Sequence, residues 1–187
     1  MGIEKYLFGK EMERMPDVGF RIMTFIFRLV DIFYSPAERI KAFGIREGFT
    51  IIDYGCGPGR YLREASKLVG GRGKVYAVDI HQLAIEAVKK KIEKYSLENV
   101  EPVLVEGYCC PLRENIADMI YVLDTFHMIR QPDSFLKELH RLLKRDGFLI
   151  IDDGHQSRLE TKTKLNNSRL WNIVEESRGH LRCIPVI

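Results

Sequence analysis

The nine residues Ile51-Ile52-Asp53-Tyr54-Gly55-Cys56-Gly57-Pro58-Gly59 constrain this chain more than any other stretch. An apolar run that breaks into three alternating glycines describes a buried strand and a turn whose backbone passes close beneath a ligand. Open α/β sheets bind their ligands at that place, beyond the carboxyl end of the first strand. The rest of the chain follows suit. Apolar runs at residues 74–78, 103–105, 119–123 and 148–151 alternate with helical patterns at 62–69, 82–95 and 134–143. That alternation is the signature of βαβ units around a parallel sheet.

Within those helices, Leu62, Ala65, Ser66 and Val69 recur at helical spacing before the Gly70-Gly71 stop. Leu83, Ile85, Ala87, Val88 and Ile92 are expected to face the sheet from the second helix. Phe135, Leu136, Leu139, Leu142 and Leu143 form the stripe of the third, behind an N-cap at Asp133 or Ser134. Residues 161–166 suggest a short helix. Residues 171–175 and 181–186 read as an antiparallel hairpin turning at Arg178-Gly179.

A chain of 187 residues with 45% apolar and 29% charged residues suits one globular domain, which excludes a fibrous or wholly disordered protein. The net charge of +3 comes from scattered cations. Only Lys89, Lys90 and Lys91 cluster, as on a solvated helix face, and no basic stripe interleaved with aromatics marks a nucleic-acid reader. Cys56, Cys109, Cys110 and Cys183 have neither disulfide-framework nor zinc-site spacing, so free thiols in a reducing, cytoplasmic setting are expected, with no metal.

The opening Met-Gly-Ile-Glu-Lys-Tyr lacks the apolar stretch of a signal peptide, and Tyr6 does not fit a myristoylation signal. Residues 20–34 are apolar but interrupted by Arg21, Arg28 and Asp31, and too short for a transmembrane segment. Their apolar side chains cover nearly the whole helix circumference. Three readings stay open: packing against the sheet domain, a lid that also lines an acceptor pocket, and a membrane-surface helix, against which stand the few flanking lysines and arginines. Residues 1–45 are expected to form a helical cap and residues 46–187 the ligand-binding domain. The oligomeric state is not legible.

Three details sharpen the glycine turn. The spacing Gly55-x-Gly57-x-Gly59 is followed by Arg60, where the dinucleotide fingerprint requires its third glycine. Asp53 just before the turn would repel a pyrophosphate but suits an ammonium group. Asp79 ends the second strand 20 residues beyond Gly59, where a carboxylate can accept hydrogen bonds from both hydroxyls of an unphosphorylated ribose. Charge-assisted bonds of this kind contribute about 1.5–3 kcal/mol each. An amino acid at one end and a free ribose at the other describe S-adenosylmethionine.

Asp53-Tyr54-Gly55-Cys56-Gly57-Pro58-Gly59 and Val75-Tyr76-Ala77-Val78-Asp79 resemble the first two motifs of class I S-adenosylmethionine-dependent methyltransferases, in particular the quinone-biosynthesis branch. Residues 118–129 and 136–152 are similar to the family's fourth-strand motif and its helix, turn and fifth strand. The resemblance runs from about residue 43 to residue 154. It implies a Rossmann-like, seven-stranded, mostly parallel sheet with a C-terminal antiparallel hairpin and helices on both faces. It also implies that Asp53 and the backbone of Gly55, Cys56, Gly57 and Gly59 hold the methionine moiety. Asp79 would then hold the ribose, Ile80 would pack on the adenine, and Leu123 would border the sulfonium. Where the family carries Gly-Asp-Ala before a proline, this chain has Gly107-Tyr108-Cys109-Cys110-Pro111, shortened and without the acid; Tyr108 stacking on the base is the substitute.

The implied reaction is methyl transfer to a small acceptor, hydrophobic if the apolar helix lines the pocket. His127 and Asp124 are the candidate acceptor-side catalytic residues, with His155 a further one. Cys109-Cys110 reads either as a thiophilic site or, more simply, as small apolar loop filling. Two rival functions stay open: a non-catalytic binding protein on the same fold, and a nicotinamide-dependent oxidoreductase, which Asp53 and Arg60 disfavour.

Overall fold

The computed structural model describes residues 14–33 and 36–187. The readings made on residues 1–13, and on Tyr34, lie outside the described residues. Two helices open the described chain, α1 (Asp17–Phe33) and α2 (Pro36–Lys41). There follow β1 (Thr50–Tyr54), α3 (Leu62–Val69), β2 (Lys74–Asp79), α4 (Gln82–Tyr95), β3 (Val100–Leu104) and β4 (Ala117–Val122). A 3-10 turn (Phe126–Met128), α5 (Pro132–Leu142), β5 (Leu143–Ile151), α6 (Arg158–Ser168), β6 (Trp171–Glu176) and β7 (Leu181–Pro185) complete it.

The seven strands form one sheet in the order β3-β2-β1-β4-β5-β7-β6. β1 pairs in parallel with β2 on one side and β4 on the other, and β4 pairs in parallel with β5. β7 pairs antiparallel with β5 on one side and with β6, its partner in the expected hairpin, on the other, so β7 alone runs against the remaining strands. The order reverses between β1 and β4, so the chain leaves these neighbours in opposite directions and opens a crevice at their carboxyl ends.

Strand pleating divides the core in two. Ile52 and Tyr54 of β1 point to the face covered by Phe135, Leu136, Leu139 and Leu142 of α5 and Leu165 of α6. Ile51 points to the other face, under Ile40 of α2, Leu62, Ala65 and Val69 of α3, and Val88 of α4. The central strands are apolar on both sides because both faces are roofed by helix.

Several local expectations shift. α4 buries Ala84, Ile85 and Val88, whereas Leu83 and Ala87 turn towards α1 and line a groove between the two helices. α5 starts at Pro132, whose fixed φ and missing N–H suit the first helical turn, so its N-cap is Gln131 and not Asp133 or Ser134. β3 begins at Val100, and Val105 lies just past its end, hydrogen-bonded to Asp79 O at 3.0 Å. α6 extends to eleven residues because the Ser157 side chain caps it through Glu160 N at 3.1 Å. Among the described residues, no helix is long and apolar enough to cross a membrane.

Candidate functional site

The glycine turn is clamped to the neighbouring strand: the N–H groups of Gly55 and Cys56 both donate to Val78 O, at 2.8 and 3.0 Å. All three glycines hold positive φ, +82° at Gly55, +51° at Gly57 and +71° at Gly59. They serve different ends. A Cβ on Gly55 would run into the side chain of Thr125, and one on Gly59 into Leu62 and Val88. Gly55 therefore lets the loop after β4 approach, and Gly59 lets α3 and α4 close on the turn. Over Gly57 there is open space.

Asp79 sits beside that open backbone. Its carboxylate accepts from Gly57 N and from His81 N, each at 2.8 Å. Burial pushes its pKa above the usual carboxylate range, and the two amides oppose that shift. The group is thus fixed in place before any ligand arrives, with lone pairs left for donors in the crevice.

The crevice is a cleft that opens to solvent on one side. Gly55, Cys56 and Gly57 form one wall, followed by Asp79 and Ile80. Gly107 and Tyr108 lie on the β3–β4 loop, and Leu123 and Asp124 follow β4. Phe20, Met23 and Phe27 of α1 close it from above, while Met128, Ile129 and Phe135 extend the apolar lining. His81 caps α4 by accepting from Leu83 N through Nδ1 at 3.2 Å, and its ring stacks on Phe20 with centroids 4.4 Å apart. Burial lowers the pKa of that imidazole.

Of the candidate binding and catalytic residues singled out from sequence, Asp53, Gly59, His127 and His155 do not line this cleft. Asp53 points to the α2–α4 face and is 2% exposed, near Tyr121. Its Oδ2 and the Tyr121 hydroxyl are both buried without completing a hydrogen bond. Burial pushes the Asp53 carboxyl up to about 8, and the neighbouring Tyr121 offsets only part of this. His127, in the 3-10 turn, packs edge-on against His155 with ring centroids 4.8 Å apart. Burial and the second histidine both lower its pKa.

The Gly107–Pro111 loop is pinned from α5. Glu138 accepts from Cys110 N at 2.7 Å and pairs with Arg141 at 2.6 Å, and Arg141 donates to Cys110 O and Leu112 O, each at 3.0 Å. Cys110 is buried in the core and Cys109 is exposed. Neither lines the cleft, so Cys110 is loop filling.

Two side chains that the sequence did not single out, Arg39 and Asp152, hold Asp124 at the rim. Asp124 has a left-handed backbone, φ +53°, held because its N–H donates to both oxygens of Asp152 at 2.9 and 3.0 Å. Arg39 of α2 reaches Asp152, Asp124 (3.3 Å) and the Tyr61 hydroxyl (3.1 Å). Burial, and the charge on Asp124, raise the Asp152 carboxyl to about 6 against the pull of Arg39. Arg60 pairs with Asp31 of α1 at 2.6 Å and lies over the Phe27 ring. The position of Asp152 just past β5, beside the switch point, was a signal available in the sequence. The partnership with Arg39, 113 positions away, was not.

Residues 45–181 match the family described as Methyltransferase domain. The chain belongs to the class I S-adenosylmethionine-dependent methyltransferases.

An S-adenosylmethionine-dependent methyltransferase from Aquifex aeolicus superposes with a TM-score of 0.77 at 30% identity, covering 82% of this chain and 90% of that one. A TehB-like methyltransferase from Corynebacterium glutamicum shares the fold, with a TM-score of 0.68 at 17% identity over 91% and 97% of the two chains. The ubiquinone/menaquinone biosynthesis C-methyltransferase UbiE of Escherichia coli is 26% identical over 136 residues, 72% of this chain. The chain spans about half (54%) of the length of that relative.

Family membership makes S-adenosylmethionine the cosubstrate, and the cleft fits it. Neither Gly57 nor Gly107 has a heavy atom within 4 Å of where a Cβ would stand, so two bare stretches of backbone face open space. The ionisable group fixed beside them is a carboxylate, which suits ribose hydroxyls and repels a pyrophosphate.

Proposed function

We propose that this methyltransferase transfers the methyl group of S-adenosylmethionine to a small, apolar acceptor held under α1. The observation that carries the reading is Asp79. It is the carboxylate locked between two backbone amides at the tip of β2, against the open backbone of Gly57. In that position it accepts from the ribose hydroxyls. Ile80 and Tyr108 flank the base, and Gly55, Cys56, Gly57 and Leu123 receive the methionine arm. Asp53 acts from behind the turn, as part of its support.

When bound, S-adenosylmethionine supplies a methyl group on a sulfonium, open to in-line displacement by an acceptor nucleophile. What remains for the chain is to aim the acceptor, and orientation of this kind supplies about 7–11 kcal/mol of barrier lowering. Phe20, Met23, Phe27, Met128 and Ile129 exclude water and favour an apolar acceptor. Asp124, pinned by Asp152 and Arg39, is the polar group placed to orient it or take its proton. His127 supports the wall from behind, through its neighbours Met128 and Ile129. Residues 14–45, as far as they are described, act as the cap over residues 46–187.

The test is Asp79→Ala. Calorimetry with S-adenosylhomocysteine is expected to show at least about tenfold weaker binding, the loss of roughly one charge-assisted hydrogen bond, with an unchanged circular dichroism spectrum. Wild-type affinity in a folded Asp79→Ala variant would remove the assignment.

A further inference from the structure

α1 has two apolar faces. Phe20, Met23 and Phe27 look into the cleft. Val18, Ile22, Phe25, Ile26 and Leu29 follow helical spacing along the opposite side and are 61%, 42%, 61%, 47% and 48% exposed. So continuous an apolar stripe on a helix surface marks an interaction site.

The fold decides what fits it. In the sequence few cations flank α1, but packing α4 beside it brings Lys90 and Lys94 to the groove between the two helices, together with Arg21 of α1. Lys91 is there too, donating to Gly59 O at 2.7 Å. The acids in the groove are Asp31, which is paired with Arg60, and Glu86. Tyr95, 38% exposed, stands at the end of α4 beside Lys94. Phe25 joins the apolar stripe to this groove, and an apolar stripe with lysines and an amphipathic aromatic along one edge has the chemistry of a surface that seats in an anionic lipid interface. The groove also shares walls with the cleft: Phe20, Phe27, Pro58 and Arg60 belong to both.

We propose that the outer face of α1, with Lys90 and Lys94 of α4, docks this protein peripherally on an anionic lipid surface and turns the α1–α4 groove towards the bilayer. An apolar acceptor then enters the cleft from the lipid past Phe27 and Arg60. This route of entry rests on the apolar-acceptor reading above; the docking itself does not.

The experiment is sedimentation of the full chain with phosphatidylcholine vesicles prepared with and without phosphatidylglycerol. Binding is expected to the mixed vesicles, much weaker binding to the neutral ones, and weakening with added salt. Phe25→Asp, and separately Lys90→Glu with Lys94→Glu, are each expected to lower binding to the mixed vesicles roughly tenfold. Melting curves and S-adenosylhomocysteine affinity are expected to stay at wild-type values in both. Failure to sediment with the anionic vesicles, or binding that both variants leave unchanged, overturns the proposal. So does a stable wild-type dimer that Phe25→Asp splits, since the stripe would then be covered by a second copy. In each of these cases intact S-adenosylhomocysteine binding leaves the methyltransferase assignment standing.

Discussion

Asp53 and Asp79 lie at the carboxyl ends of neighbouring strands and both read as ligand-binding carboxylates in the sequence, yet the structure gives them opposite surroundings. Asp79 faces the cleft between two amides, whereas the pleat of β1 turns Asp53 inwards to Tyr121. Burial raises the Asp53 carboxyl to about 8 from an ordinary value of 3.8. Between those values the folded chain holds a proton that the unfolded chain has lost, so this group's contribution to stability falls as pH rises through the window. Asp53→Asn keeps the shape and removes the titration. Urea unfolding of the two proteins from pH 5 to pH 9 is expected to show the variant gaining on the wild type as pH rises. A difference independent of pH would mean that Asp53 is already ionised in the folded protein.

At the scale of elements, one residue of α2 reaches three partners in the sheet domain. Arg39 bonds to Tyr61 after the glycine turn, to Asp124 after β4 and to Asp152 after β5. It therefore ties the segment carrying α1 to the acceptor side of the cleft and not to Asp79. Arg39→Ala leaves Asp152 buried beside Asp124 without its cation, so the Asp152 carboxyl rises above about 6. Methyl-transfer assays are expected to show KM for the acceptor rising by roughly tenfold or more while affinity for S-adenosylhomocysteine changes by less than about threefold, since truncating one partner of a buried charge pair costs a few kcal/mol. Equal losses for both ligands would show that α2 supports the whole site. Arg39→Lys restores the charge but not the planar fork, and is expected to recover part of the loss.

At the scale of the molecule, the cleft lies on the seam between the two halves of the sheet. One wall comes from the turns after β1 and β2, the other from the loop after β4 with Phe135 of α5, and the roof from α1. A ligand that bridges these parts binds the folded state only. S-adenosylhomocysteine at about 100 times its dissociation constant is expected to raise the melting temperature by roughly 5–10 °C, from about 2.7 kcal/mol of linkage in a chain of this size. NAD at the same concentration is expected to leave it unchanged. A matching shift with NAD would bring back the oxidoreductase reading.

What could be read from the sequence was local in origin. Strand, glycine turn and helix follow from apolar period and from the few residues that tolerate positive φ. The bounds of α4 and the pairing of β6 with β7 came directly from those patterns, as did the placement of Gly55, Gly57 and Asp79 around one turn. Other features required distant segments to meet. Asp53 lies off the cleft because its orientation depends on which face of β1 packs on Tyr121. Arg39 was invisible because its partners lie 22, 85 and 113 positions away. The lysines beside the outer face of α1 belong to another helix altogether. Backbone preference and side-chain period determine elements and the turn between them; only packing decides which side chains from separate elements share a boundary, because that choice is made by burial and charge pairing across the whole chain.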